Sequence, residues 1–116
     1  GRSIDGLRVL VQGLGATGAR LATRLAASGA RLLVSDVRAD AVAAVVAASG
    51  AQAIEPDRVL TTPCDVFAPC ALGGVLTLPA ARTLPALGVC GSANNVFAEP
   101  AAARELHRRG VLAVPD

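Results

Sequence analysis

The sequence predicts an α/β fold built on a doubly wound parallel sheet. Short apolar runs of strand length alternate with segments of helical periodicity along all 116 residues. This alternation is typical of a parallel sheet with helices on both faces, because each crossover between parallel strands carries a helix. A glycine-rich turn joins the first apolar run to the first helical segment. The length indicates a single domain with one modest core.

The pattern places six strands and four helices. Strands are predicted at about residues 7–12, 31–35, 52–54, 65–68, 88–91 and 111–114, and helices at about 16–28, 41–49, 79–84 and 100–109, with a helical turn near 57–60. Gly29 and Gly50 are predicted to end the first two helices, and Asp40 to cap the start of the second. Right-handed crossovers then give the strand order 3-2-1-4-5-6.

The turn after the first strand has the pattern GxGxxG, with its glycines at Gly13, Gly15 and Gly18. Gly13 allows a tight turn out of the strand, and Gly15 leaves room for a pyrophosphate to approach the backbone. Gly18 lets the following helix pack closely on the sheet. The first residues of that helix, Ala16 and Thr17, direct free N–H groups at the phosphates. The turn therefore predicts a dinucleotide site of the Rossmann type.

Asp36 ends the second strand, 18 residues beyond Gly18. A carboxylate at this position can accept hydrogen bonds from the hydroxyls of an adenosine ribose. The alternative is a plain βαβ unit with a tight turn. That alternative explains one glycine, but it does not explain three glycines together with an acid at the end of the next strand. This context favours dinucleotide binding.

The composition argues against nucleic-acid and membrane partners. All eleven cationic side chains are scattered arginines and the net charge is only +2, so no basic patch is predicted. Aromatic residues make up 2% of the chain against 53% hydrophobic residues, which leaves an aliphatic core and no stacking platform for single strands. We expect no membrane-spanning segment and no signal peptide, because no stretch has the required length or pattern.

The three cysteines, Cys64, Cys70 and Cys90, lack CxxC spacing, and an odd number argues against a complete disulfide framework. We interpret them as free thiols in a reducing cytoplasm. The single histidine, His107, lies at a charged helix end and is interpreted as a helix C-terminal cation. No metal site is predicted.

Residues 66–98 contain a single charged side chain, that of Arg82. A solvated surface normally carries more charge. The loops after the fourth and fifth strands are therefore expected to be covered by a ligand, by a second domain, or by both.

Four further blocks follow the glycine-rich turn: CDVFAPCALGGV at 64–75, GSANN at 91–95, LHRRGVL at 106–112 and PD at 115–116. In this order they closely resemble the cofactor domain of the leucine, phenylalanine and valine dehydrogenases. These enzymes form the branch of the amino-acid dehydrogenase superfamily that acts on apolar amino acids. The resemblance runs from about residue 5 to residue 116. One departure is Ala113, where an aromatic residue would be more usual.

The resemblance implies NAD as the cofactor. The turn from Gly13 to Gly18 would hold the pyrophosphate. Asp36, with Val37 beside it, would hold the adenosine ribose and favour NAD over NADP, because a 2′-phosphate would meet a carboxylate. Arg38 stands two residues beyond the acid and would soften that preference.

On the nicotinamide side, the resemblance assigns the residues that follow the fourth and fifth strands. Pro69, Cys70 and Ala71 follow the fourth strand, at the point where the strand order reverses. Three residues after the fifth strand would contact the nicotinamide riboside: Ala93, Asn94 and Asn95. Structural alternatives remain, since Cys70 could be a small apolar filler and the two asparagines could form an Asx turn.

The chemistry of the family removes a hydride from the α-carbon of an amino acid and leaves an imine, which water hydrolyses to the 2-oxo acid and ammonia. The resemblance implies a lysine general base, a second lysine on the substrate carboxylate and an acidic partner, all in an N-terminal substrate domain. This chain contains no lysine. We therefore expect residues 1–116 to be the dinucleotide-binding domain of a larger enzyme, with no catalytic residue and no turnover of its own.

The intact enzyme is expected to be a homo-oligomer that assembles largely through the substrate domain. The alternative function is a stand-alone, non-catalytic module or sensor that binds NAD(H). A Rossmann-like methyltransferase would share the glycine-rich turn, but the blocks at 65–74 and 93–95 disfavour it.

Overall fold

Six parallel strands form one sheet. The computed structural model describes residues 5–70, 77–90 and 100–114. The strands are β1 (Arg8–Gln12), β2 (Arg31–Ser35), β3 (Gln52–Ala53), β4 (Val66–Pro69), β5 (Gly88–Cys90) and β6 (Leu112–Val114). Their order across the sheet is β3-β2-β1-β4-β5-β6, which confirms the predicted order. The order reverses between β1 and β4, and the carboxyl ends of these two strands frame the candidate site.

Helices cover both faces of the sheet, as in a Rossmann fold. They are α1 (Ala16–Ala27), α2 (Ala39–Ser49), α3 (Leu78–Thr83) and α4 (Pro100–Arg108), with a short 3-10 helix at Pro56–Thr61. Alternate residues of β1 point to opposite faces. Val9 and Val11 join a buried cluster that includes Ala22 of α1 and Val45 of α2. The opposite cluster contains Leu10 and Phe67 together with side chains of α3 and α4: Ala81, Ala102 and Leu106.

Glycines end the first two helices, as predicted. Gly29 has φ 92° and Gly50 has φ 75°, a left-handed conformation that glycine adopts at little cost. The predicted cap of α2 was wrong. The helix begins at Ala39, its N-cap residue is Arg38, and Asp40 lies inside the first turn. The carboxylate of Asp40 there faces the positive end of the helix dipole, which favours an acid without a capping hydrogen bond.

Asp65 links β1 to β4 at the end of the sheet where the parallel strands begin, called here the amino edge. Its carboxylate accepts a hydrogen bond from the backbone N–H of Arg8 at 2.8 Å, and its own N–H donates to the Arg8 carbonyl at 2.8 Å. The Arg8 guanidinium completes an ion pair at 3.7 Å. Asp65 is therefore a structural residue, and it lies at the opposite edge of the sheet from the glycine-rich turn.

Arg109 connects α4 to the end of α3. Its guanidinium donates to the carbonyl of Ala81 at 2.7 Å and to that of Leu84 at 3.2 Å. Ala81 lies in the last turn of α3 and Leu84 is its C-cap residue, and the carbonyls at a helix C-terminus have no further helical N–H groups to satisfy them. Within the described ranges, no helix combines the length and hydropathy needed to cross a membrane.

We expect Arg109→Ala to destabilise the chain by about 1–2 kcal/mol, because two carbonyls lose a charged donor. Urea unfolding followed by circular dichroism measures this change. Arg108→Ala is the matched control, since Arg108 is exposed and, within the described part of the chain, its guanidinium pairs with Glu105 one turn earlier. Its unfolding midpoint should stay close to that of the parent. Equal shifts for the two variants would contradict the assignment.

Candidate functional site

The glycine-rich turn is fixed to the end of β2. Gly13 follows β1 with φ 98°, a value that side-chain-bearing residues rarely adopt. In this conformation its N–H donates to the Ser35 carbonyl at 2.8 Å. The turn therefore depends on a glycine at this position, as the sequence predicts.

At Gly18, helix α1 packs directly against the backbone of the glycine-rich turn. A Cβ added at Gly18 would lie 1.8 Å from the carbonyl oxygen of Gly13 and 3.2 Å from the Cβ of Cys70. No real Cβ approaches a backbone oxygen so closely. Gly18 thus allows α1 to begin directly against the ends of β1 and β4.

Gly15 differs from the other two glycines because it lies beside open space. It is extended, with φ −67° and ψ −169°, and no atom of the described residues lies within 4 Å of an added Cβ. It is also the N-cap residue of α1, with no side-chain capping bond and no acid in the first turn. The N–H groups of Ala16 and Thr17 have no acceptor within the helix. The helix N-terminus is therefore suited to a phosphate-like anion.

Asp36 lies next to this helix end and contacts the turn. One carboxylate oxygen, Oδ2, accepts the backbone N–H of Leu14 at 2.6 Å, and Oδ1 accepts the N–H of Arg38 at 2.8 Å. The Nε atom of Arg38 adds a longer bond to Oδ1 at 3.3 Å. Burial alone would raise the pKa of Asp36. The hydrogen bonds from the N–H groups of Arg38 and Leu14, followed by the Arg38 guanidinium, outweigh burial and hold this pKa below its ordinary value of 3.8.

A groove of about 350 Å³ opens beside Asp36, between the start of α2 and the end of β3. Its lining includes apolar residues from both elements, among them Val42 and Ile54, and two acidic residues, Asp36 itself and Glu55. Val37 stands at this groove with 86% of its surface exposed. An exposed aliphatic residue beside an apolar groove provides contact area for a flat ring.

Pro69 and Cys70 occupy the other side of the turn. Pro69 is the register partner of Gln12, and the N–H of Cys70 donates to the Gln12 carbonyl at 2.6 Å. Both residues therefore lie at the switch point between β1 and β4, where ligands bind in open α/β sheets. Cys70 is half-buried and forms no disulfide within the described residues.

The structure brings together most of the site residues that the sequence predicts. The glycines, Ala16, Thr17 and Asp36 meet at one end of the sheet, with Val37, Pro69 and Cys70 beside them. Four predicted residues lie outside the described residues: Ala71, Ala93, Asn94 and Asn95.

Sequence reasoning missed three contributors to the site. The backbone N–H of Leu14 holds Asp36, and no side-chain pattern could reveal that bond. Gln12 and Ser35 are register partners, and each keeps a buried oxygen, Oε1 and Oγ respectively, for which the described part of the chain offers no hydrogen-bond partner. The sequence does carry a signal for Gln12 and Ser35, because each is a polar residue at the end of an apolar strand. Such oxygens could bind water at the base of the site.

Comparison with known proteins decides the family. The family model described as Glutamate/Leucine/Phenylalanine/Valine dehydrogenase matches residues 34–116. The chain belongs to this family. It is 38% identical to a leucine dehydrogenase of Geobacillus stearothermophilus over 98% of its own length and 31% of that enzyme. It is likewise 38% identical to a valine dehydrogenase of Streptomyces albus, over 91% of its length and 30% of that enzyme.

A solved family member shares the fold. The crystal structure of L-tryptophan dehydrogenase from Nostoc punctiforme superimposes with a TM-score of 0.94 at 37% identity, covering 100% of this chain and 36% of that one. The present chain thus spans about a third of the length of the dehydrogenases it matches. The resemblance inferred from the sequence blocks is confirmed at the level of the family.

We expect Gly18→Ala to destabilise the chain by about 3 kcal/mol, because its methyl group would overlap the Gly13 carbonyl. Gly15→Ala is the matched control, since its methyl group enters open space at an ordinary φ, and it should cost about 0.5 kcal/mol through the weaker N-cap. Thermal unfolding of both variants tests the difference. A Gly18→Ala variant as stable as Gly15→Ala would refute the close approach.

The lowered pKa of Asp36 predicts a pH dependence of stability. The charged carboxylate stabilises the folded chain fully above the ordinary pKa of 3.8, and this contribution is lost as the pH falls through the lower pKa of the folded state. The stability difference between the parent and Asp36→Asn should therefore be constant from about pH 7 to pH 5 and shrink below about pH 4. Urea midpoints at each pH measure it.

Asp57→Asn is the control for this pH experiment, because it removes an equal charge from an exposed position in the short 3-10 helix. A difference between the parent and Asp36→Asn that stays the same down to the lowest pH would show that the carboxylate of Asp36 is not preferentially stabilised in the folded chain.

Proposed function

We propose that this chain is the NAD-binding domain of an amino-acid dehydrogenase that acts on an apolar L-amino acid. The observation that carries the proposal is the bond between Asp36 and the glycine-rich turn. It places a carboxylate suited to a ribose diol beside a helix N-terminus suited to a pyrophosphate. Membership of the dehydrogenase family supports the same function.

The described residues fit the adenosine half of the cofactor. The pyrophosphate would lie over Gly15 and accept hydrogen bonds from the N–H groups of Ala16 and Thr17, where an added Cβ would meet nothing. Asp36 would accept a ribose hydroxyl. The adenine ring would enter the groove beside Val37, whose apolar walls suit a flat heterocycle.

The nicotinamide half would lie across the switch point. Pro69 and Cys70 stand there on β4 and directly after it, close to Gly18. Cys70, which is free and half-buried, would act as a small apolar contact. The assignments of Ala71, Ala93, Asn94 and Asn95 to the nicotinamide riboside remain predictions from the family resemblance.

When bound, the cofactor would accept a hydride from the α-carbon of the amino acid, and hydrolysis of the resulting imine would give the 2-oxo acid and ammonia. This chain contributes binding and orientation. The lysine base, the second lysine and the acidic partner would come from a substrate domain, since the chain contains no lysine. Leucine, valine and phenylalanine are the proposed substrate types, and the intact enzyme would be a homo-oligomer.

Titration with NADH tests the proposal directly. The chain contains no tryptophan and no tyrosine, so nicotinamide fluorescence can be followed without overlapping protein emission. We expect saturable binding to the parent and binding about tenfold weaker to Asp36→Ala, because a charge-assisted hydrogen bond to the ribose is lost. The chain alone should show no turnover of leucine, valine or phenylalanine.

Asp57→Ala is the matched control for charge, because it removes an exposed carboxylate from the 3-10 helix. It should bind NADH as the parent does. A folded parent chain that binds no NADH, or an Asp36→Ala variant that binds it unchanged, would count against the proposed site.

A further inference from the structure

The acceptor positions of Asp36 are almost fully used. A carboxylate offers about four lone-pair positions to donors. Three are occupied, by the N–H groups of Leu14 and Arg38 and by the Nε atom of Arg38. The side chain of Asp36 is only 8% exposed, so solvent supplies little further bonding. A ribose diol presents two hydroxyls, and one of the three existing donors must leave for both to bind.

The donor that can leave is the guanidinium of Arg38. Its bond to Asp36 is the longest of the three, at 3.3 Å, and its side chain is 57% exposed. The two backbone donors are fixed. Leu14 belongs to the turn, and the carbonyl of Arg38 accepts the first bonds of α2 from Ala41 and Val42. The backbone of Arg38 is therefore held in place, whereas its exposed side chain can rotate away once its long bond to Asp36 breaks.

A cation at this position changes the electrostatics of the ribose site. A phosphate on the 2′-oxygen would otherwise lie next to Asp36, beside a groove that the acidic residue Glu55 also lines. Both would repel it. A guanidinium released from Asp36 provides a planar pair of donors that matches phosphate oxygens. The side chain of Arg38 thus competes with the ribose diol of NADH for Asp36. For NADPH, it supplies a positive charge next to the 2′-phosphate.

We propose that Arg38 is a specificity-determining residue that admits NADPH as well as NADH: its side chain competes with the ribose diol for Asp36 and binds a 2′-phosphate. The proposal rests on the proposed function, since it concerns the same dinucleotide site. Beyond the proposed function, it adds NADPH as a second nucleotide and assigns the choice between NADH and NADPH to the side chain of Arg38. The helix start does not need that side chain, because Arg38 makes no side-chain capping bond to α2.

The experiment compares NADH and NADPH binding to the parent, Arg38→Ala and Arg38→Lys by nicotinamide fluorescence at one fixed ionic strength. Arg38→Ala should bind NADH about two- to threefold more tightly, because the competitor for Asp36 is gone. It should bind NADPH about tenfold more weakly, because the charged donor to the phosphate is gone. Arg38→Lys keeps the cation but loses the planar pair of donors, so its NADPH affinity should lie between those of the parent and Arg38→Ala.

The matched control is Arg24→Ala, which removes one exposed arginine from the last turn of α1, at the opposite end of that helix from the site. It should bind both nucleotides as the parent does. Circular dichroism checks that each variant is folded. Arg38→Gln, which keeps most of the side-chain length, replaces Arg38→Ala if the alanine variant fails to fold.

Opposite changes for the two nucleotides support the proposal, because a purely structural role of Arg38 would weaken both together. A parallel loss of NADH and NADPH binding in Arg38→Ala overturns it. A parent chain that binds NADH but no NADPH also overturns it and leaves the proposed function intact. If a folded parent binds neither nucleotide, the proposed function fails and the role of Arg38 fails with it.

Discussion

The hydrogen bond from the Leu14 N–H to the Asp36 carboxylate is the contact on which the candidate site depends. It is 2.6 Å long and joins residues 22 positions apart in the chain. A second hydrogen bond joins the preceding residues, from the Gly13 N–H to the Ser35 carbonyl. Together they attach the glycine-rich turn to the end of β2. The proposed pyrophosphate and ribose subsites would therefore share one rigid unit, which would reduce the ordering cost of binding a dinucleotide.

The three glycines of the turn meet three separate physical requirements. Gly13 needs a positive φ, and Gly18 needs the absence of a Cβ next to the Gly13 carbonyl. Gly15 needs neither for folding, because its backbone is ordinary and its surroundings are open. Gly15 also serves as the N-cap residue of α1, and the space beside it would suit the phosphate that we propose to bind at this helix N-terminus.

The fold separates the site from the contacts that stabilise it. Asp65 ties β1 to β4 at the amino edge, and Arg109 ties α4 to α3, both away from the glycine-rich turn. The aliphatic core lies on both faces of the sheet, with Phe67 as its largest fully buried side chain. The carboxyl edge is thereby free to carry polar groups such as Gln12 and Ser35, whose buried oxygens would be costly without a binding role or a bound water.

The sequence by itself determined the strand order, the glycine-rich turn and the place of Asp36, because these follow from local periodicity and from residue types with few alternative roles. It misplaced the start of α2 at Asp40, since a single acid near a helix start suits two positions almost equally. Only the tertiary structure showed that Arg38 and Leu14 share the carboxylate of Asp36 and that Arg109 satisfies the end of α3. Those contacts involve backbone groups, which every residue carries, and exposed arginines, which can reach several acceptors. Which acceptor each of these donors binds is therefore decided by distances in the folded chain. The residue types in the sequence contain no pattern that reveals it.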